Sequence, residues 1–344
     1  MNLQDKIMLT ESDSDDEVIL LLALQQEESL NERYRFNINA IDNDASQKLF
    51  RFSKAQLFQL LVAFEIGASV VTPERYKFTG IEALCILLRR MAFPARWFDL
   101  EALFGRSSAA LSSCFLFLIQ FLVSKYEFIL DFDADRIAEN LPRFAEAIHQ
   151  AGAPLEKCWG FLDGTIRQCS RPGRNQREYF NGHKRVHALK FHSIMTPDGL
   201  ISHMFGPVEG RRHDITLLRL SRLSEKLSDV RFKGYFVYGD PAYPTNSFLI
   251  SPYKGAQIDA HQAKFNSDMS KVRIAVEWGF GRVVNLWQFL DFKRSLKVDL
   301  SPVASFYLVG VLLTNCHCCL NSNQVSSKFS LSPPSLQDYL HTPP

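Results

Sequence analysis

The sequence predicts an α/β protein, with a mixed-sheet core preceded by an all-helical region. Three observations predict it. Apolar residues follow a helical period from about 46 to 150. After residue 154 the period shortens, and the runs 158-CWGFL-162, 185-RVHALKFHSIM-195, 200-LISHMFGPV-208 and 234-GYFVYG-239 read as strands. Helical pattern returns in 214-DITLLRLSRLSEKL-227 and 271-KVRIAVEWGFGRVVNLWQFL-290, so the order is three strands, helix, strand, loop, helix.

At 344 residues the chain has room for about two domains. Hydrophobic content of 46%, with 28 Phe, supports real cores. Residues 1–45 read as an acidic tail, 46–150 as the helical domain, 151–322 as the sheet domain and 323–344 as a C-terminal tail. Residues 1–30 hold eight acids and one base, so a net charge of +2 leaves +9 on the remainder. That balance suits a polyanionic partner without demanding one. The block 11-ESDSDDE-17 is expected to be solvated, and 18-VILLLALQQEE-28 has the makings of one helix.

In the helical region, Ser53 with Gln56 forms a capping box ahead of 57-LFQLLVAF-64. Thr79 with Glu82 forms another before 83-ALCILLRRMAF-93. The short helix 97-WFDLEALFG-105, the turn 105-GRSS-108 and the helix 109-AALSSCFLFLIQFLVSKY-126 match a helix-turn-helix pattern. A plain helical bundle would read the same way, and only Arg106, Ser107, Ser108, Ser112 and Ser113 offer polar groups to a groove. Between the second and third strands, 197-PDG-199 signals a tight turn.

Four acids occupy special places in that order. Asp163 ends the first strand, Asp214 starts the helix after the third, Asp240 ends the fourth, and Glu277 lies inside the late helix. Each has an ordinary explanation: Asp163 and Asp240 as turn acids, Asp214 as a helix cap, Glu277 as the i+4 partner of Arg273. Together they suggest a carboxylate cluster. Such a cluster needs a cation, since unneutralised carboxylates at close quarters do not all ionise. Carboxylate oxygens select Mg²⁺ or Mn²⁺, and two such ions about 3.5–4 Å apart clamp both oxygens of a phosphodiester displacement.

The blocks 161-FLDGT-165, 212-RHDITLL-218, 239-GDPAYP-244, 251-SPYKG-255, 264-KFNSDMSKVRIAVEWGFGRV-283 and 311-VLLTNC-316 resemble PIF/Harbinger-type DDE transposases, over roughly residues 80–320. The resemblance implies an RNase H-like catalytic core with Asp163, Asp240 and Glu277 as the catalytic triad. It also implies a divalent metal, Mg²⁺ or Mn²⁺, held by Asp163, Asp240 and Glu277 together with Asp214, a further acid that the family shares. It implies a nuclear enzyme that cuts and joins DNA, helped by a separate Myb-like DNA-binding protein, and is compatible with a homo-oligomer. A domesticated relative that binds DNA or a protein without cutting is the alternative. One departure is Trp278, where that family usually carries Arg. In an RNase H-like sheet the fourth strand pairs with the first, so Asp240 rather than Asp214 is expected within about 6 Å of Asp163, near enough to share an ion.

Residues 164–192 hold seven Arg and Lys against one acid, Glu178. Of these, Arg171, Arg174, Arg177, Lys184 and Arg185 are the expected contacts to a phosphate backbone. Seven Cys in no disulfide-framework spacing point to a reduced protein. The spacing of 316-CHCC-319 is too tight for usual zinc patterns and reads as a helix end. The longest apolar run, 114–123, is shorter than the ~20 residues a bilayer requires, so no membrane association is expected.

Overall fold

The computed structural model describes residues 36–340. The acidic block 11–17 and the helix read over 18–28 lie outside them. The first part is helical: α1 (Asn43–Phe50), α2 (Lys54–Ala63), α3 (Gly80–Ala92), α4 (Trp97–Phe104), α5 (Ser108–Phe132) and α6 (Ala134–Gln150), with a small hairpin, β1 (Ser69–Val71) and β2 (Lys77–Thr79), ahead of α3. Both capping boxes form as read, Ser53 with Gln56 and Thr79 with Glu82.

The second part is built on β3 (Cys158–Gln168). There follow α7 (Gln176–Tyr179), β4 (Phe180–Asn181), β5 (Val186–Met195), β6 (Ile201–Glu209), α8 (Asp214–Leu220), α9 (Leu223–Lys226), β7 (Phe236–Gly239) and β8 (Leu249–Ile250). Helices α10 (Ala260–Leu286), α11 (Val303–Leu320), α12 (Gln324–Phe329) and α13 (Leu336–Tyr339) complete the described chain. The six-stranded sheet has the order β4-β5-β3-β7-β8, and β6 pairs with the outer side of β5. β5 runs antiparallel to β3 and β6 antiparallel to β5, while β7 and β8 run parallel to β3 and to β7.

The strands divide the core between the two sheet faces, and an irregularity between Cys158 and Gly160 of β3 puts Trp159 and Leu162, three residues apart, on the same one. Trp159, Leu162, Ile194 and Val237 pack with Ile137, Leu141 and Phe144 of α6. Phe161, Phe191, Met195 and Tyr238 join the other cluster, with Val276 and Phe280 of α10 and Tyr307 of α11. That second cluster runs without a break from Ile38 to Leu340, so the helices before residue 150 share a core with the sheet. The boundary expected at 150 therefore separates element types but not cores.

Other expectations change. The stretch 323–344, read as a tail, is folded through Leu340: Leu336 and Tyr339 are buried, and Asn315 donates to the Tyr339 hydroxyl at 2.8 Å. The late helix begins at Ala260 rather than 271, because Asp259 and Gln262 form a capping box there. In the α4–α5 pair, Gly105 takes the left-handed conformation (φ 61°) that a turn of this kind requires. The polar start of α5 is already engaged: Arg106 pairs with Glu82 at 2.8 Å, Ser108 bonds Glu101, and Ser113 bonds Glu74. Ser107 caps the helix, and Leu111, Cys114, Phe115 and Leu118 lie in the core.

The Cys316–Cys319 stretch is the end of α11, with Cys316 and Cys318 buried, and all seven cysteines are free. At 25 and 18 residues, α5 and α11 are long and apolar enough to cross a membrane. The expectation from run length alone missed this; both helices lay buried faces into the shared core.

Candidate active site

The acidic edge is set by strand register. Leu162 of β3 lies beside Gly239 of the parallel strand β7, so Asp163 and Asp240 come next. Asp240 follows the end of β7, whereas Asp163, expected to end its strand, sits mid-strand because β3 stays paired with β5 as far as Gln168. Each carboxylate accepts from nearby backbone: Asp163 from the Gly164 N–H and Asp240 from the Ala242 N–H, both at 2.8 Å. Burial pushes the Asp163 carboxyl up to about 6; Arg273 opposes this and Asp240 adds to it. Asp240 is raised too, first by burial and then by Asp214.

Arg273 of α10 supplies the countercharge, reaching Asp163 Oδ2 at 2.9 Å and Glu277 Oε1 at 3.4 Å. Glu277 is one helical turn further along α10 and exposed, with its side chain 59% accessible. The ordinary i+4 pair is thus present, and the same guanidinium ties Glu277 to Asp163. Among the described residues no three acidic, His or Cys side chains surround one point as a metal site.

Asp214 reaches the edge from the opposite face of the sheet. It is the first residue of α8, behind His213, and makes no capping bond. Instead its Oδ1 lies 2.8 Å from Nζ of buried Lys190, which also donates to the Arg212 carbonyl at 3.0 Å. Gly164 makes room for it: a Cβ there would stand 2.8 Å from Asp214 Oδ1. The capping expectation gives way to an ion pair folded over a glycine. Lys190 belongs to this edge and not to the solvated basic run.

Sequence reasoning also passed over Tyr243, in 239-GDPAYP-244. It is 1% exposed, and its hydroxyl has no hydrogen-bond partner among the described residues. Burial, then Asp214, Asp240 and Asp163, hold the phenol well above its usual range, so it stays a donor. No motif logic names it; an aromatic three residues after a strand-end acid was the available signal.

The expected DNA contacts share one stretch of chain. Arg171, Arg174, Arg177, Lys184 and Arg185 are all exposed, on the connection that carries α7 and β4. Arg171 donates to Gln176 at 2.7 Å. Trp278 is half-buried beside Glu277, with the Lys328 ammonium 5.1 Å from its ring centroid.

Residues 162–315 match the family of DDE superfamily endonucleases. The match starts next to Asp163 and takes in Asp214, Asp240 and Glu277. The chain is also similar to the probable transposase for insertion sequence element IS702 of Microchaete diplosiphon, at 27% identity over 118 residues. That similarity covers 34% of this chain and 42% of the relative, so the chain spans less than half the length of that protein. No solved structure matches the chain.

The donors suit a hard divalent cation. Asp163 and Asp240 offer oxygens only, both are unfavourably charged where they lie, and the Tyr243 hydroxyl beside them lacks a partner. Arg273 holds the place of such a charge on the Glu277 side.

Proposed function

We propose that this chain is a DDE-type DNA nuclease of the transposase class, with an RNase H-like core that uses Mg²⁺ or Mn²⁺. The observation that carries the reading is the parallel register Leu162–Gly239, which brings Asp163, in the middle of β3, beside Asp240 at the end of β7, both partly buried. Asp163 and Asp240 would hold the metal, with Glu277 completing the set once Arg273 gives way and Asp214 close behind. Bound there, two divalent ions supply Lewis-acid stabilisation to the attacking and leaving oxygens of a phosphodiester. The chain's own contribution is positional. The acids fix the oxygen donors side by side on β3 and past the end of β7, and the Tyr243 hydroxyl can donate to a carboxylate or phosphate oxygen. The basic connection holds backbone phosphates that carry no sequence information. Water would be the first nucleophile and a DNA 3′-hydroxyl the second. PIF/Harbinger ancestry, a nuclear address, a Myb-like partner and homo-oligomeric assembly are parts of the same reading, resting on the resemblance of the sequence blocks.

One observation favours the second reading, a domesticated DNA- or partner-binding protein that does not cut. Arg273 already offsets part of the charge at the edge by pairing with both Asp163 and Glu277. The test is cleavage of DNA by purified protein in Mg²⁺ or Mn²⁺, with and without a Myb-like partner, beside Asp163→Asn. Metal-dependent cutting that the variant loses supports the nuclease. DNA binding with no cutting under any of these conditions favours the binding protein.

A further inference from the structure

A cavity of about 650 Å³ opens beside Glu277 and Trp278 and runs along α10 to Arg282 and Asn285. Arg51 and the start of α12, Asn323 to Val325, form its other walls. From Glu277 to Arg282 the helix advances about 7.5 Å at 1.5 Å per residue. That is about two nucleotide steps of a duplex strand at 3.4 Å each. The cavity is therefore a continuation of the acidic edge.

Its far end is built for an anion. Arg282 has no carboxylate partner among the described residues; it donates to His317 Nδ1 at 2.9 Å and to the Ser322 carbonyl at 3.5 Å, and its buried Nε has no partner. His317 can accept because burial, and then the Arg282 charge, push its pKa down to about 4. Asn323 is 4% exposed, and its Oδ1 caps α12 by accepting from the Ser326 N–H at 2.8 Å. The cap fixes which end of the amide accepts, leaving the Nδ2 donor buried and unpartnered. A buried donor left unpaired costs about 1–3 kcal/mol, more if charged. These two atoms sit behind the cavity wall, out of reach of water, and a turn of either side chain would bring its donor to an acceptor in the cavity. Gly281 adds open space, since a Cβ there would meet nothing within 4 Å.

We infer that this cavity is a phosphate-binding subsite for the DNA strand that runs away from the acidic edge, with Arg282 and Asn323 as its donors. The inference rests on the nuclease reading and deepens it. A guanidinium and an amide suit phosphate oxygens, because hydrogen bonds to a charged group are about twice as strong as neutral ones. The basic connection would hold the duplex on one side of the acids, and this cavity the strand on the other.

The test is fluorescence anisotropy of a labelled duplex carrying a single-stranded extension, titrated without divalent metal at several salt concentrations. Arg282→Gln should lower the slope of log affinity against log salt by about 0.7 to 0.9, the share of one phosphate. Arg282→Lys keeps the charge and should keep the slope. Asn323→Asp retains a capping oxygen but turns a donor into a like charge, and should weaken binding at least about tenfold, the worth of one charged hydrogen bond. Melting curves establish that the variants are folded. Wild-type slope and affinity in folded Arg282→Gln and Asn323→Asp would overturn the inference while leaving the nuclease reading standing. Failure of the wild-type protein to bind DNA would instead overturn the reading beneath it. Inorganic phosphate that raises the melting temperature of wild type but not of Arg282→Gln, with DNA affinity equal in both, would mark a small-anion site and overturn the strand assignment.

Discussion

Replacing Asp163 by Asn should stabilise the metal-free protein at neutral pH and leave it unchanged in acid. In the folded chain burial raises the Asp163 carboxyl to about 6, against an ordinary value of 3.8. The folded state therefore holds a proton over that interval that the unfolded state releases. Stability falls as pH rises from about 4 to about 6, and the loss is complete above 6. At 1.36 kcal/mol per pH unit, the cost of keeping Asp163 ionised comes to about 3 kcal/mol. Little discount for solvent applies, because the side chain is 14% exposed. An asparagine resembles the protonated acid, so the variant avoids that cost. The assay is urea unfolding of both proteins in EDTA at pH 4, 5, 6 and 7. The two curves of stability against pH should meet near pH 4 and separate to about 3 kcal/mol by pH 7, with the variant above. Saturating Mg²⁺ or Mn²⁺ should raise the wild type alone, by about 2.7 kcal/mol at one hundred times the dissociation constant. Parallel curves across the whole range would refute the argument that burial leaves this carboxylate short of countercharge.

Three further perturbations test the neighbouring groups. Arg273→Gln removes the cation that competes for Asp163 and Glu277, so Mn²⁺ should raise its melting temperature more than that of wild type; an equal rise would mean that Arg273 does not compete with metal. Gly164→Ala puts a Cβ 2.8 Å from Asp214 Oδ1. Overpacking of this kind costs about 1–3 kcal/mol, readable by urea unfolding, and the variant should lose cleavage, if the protein cuts, before it loses fold. Neutralising Arg171, Arg174 and Arg177 together should lower the salt slope of duplex binding by roughly 0.9 for each phosphate no longer held. An unaltered slope would leave these arginines as solvated side chains only.

Much of the fold was legible where signals were local. The capping boxes at Ser53 and Thr79 are short-range hydrogen-bond patterns, and both form. The same pattern at Asp259–Gln262 went unread, and with it the first turns of α10. The turn at 197–199 joins β5 to β6 as expected, because Gly199 supplies the left-handed φ of 87°. The strand-end position of Asp240 followed from alternation and topology, but Asp163, read as ending its strand, lies in the middle of β3, because pairing with β5 carries that strand on to Gln168. What stayed hidden was what tertiary register decides. Lys190 looked like one more residue of a basic run, yet pairing in β5 buries it and delivers its ammonium to Asp214. The last turns, Leu336–Tyr339, looked like a tail because nothing local reveals that Asn315 awaits the Tyr339 hydroxyl. The start of α5 looked free to read a groove; Glu74, Glu82 and Glu101, from three separate segments, already take its polar groups.

The unbroken core from Ile38 to Leu340 bears on how the molecule could be dissected or grafted. Helices α3 and α5 close over the same apolar interior as α11, so a cut near residue 150 would strip one side from both halves. Neither fragment would keep a surface that water tolerates, and the acids on β3 and β7 would lose the scaffold that holds their strands in line. Exchanging the first 150 residues with those of a relative would thus be a transplant of half an interior, workable only if the donor's apolar side chains interlock with Tyr307, Leu312 and Cys316. For the same reason, whatever grips the outer surface of those helices also holds the acidic edge at a fixed distance and angle, as a handle holds a blade.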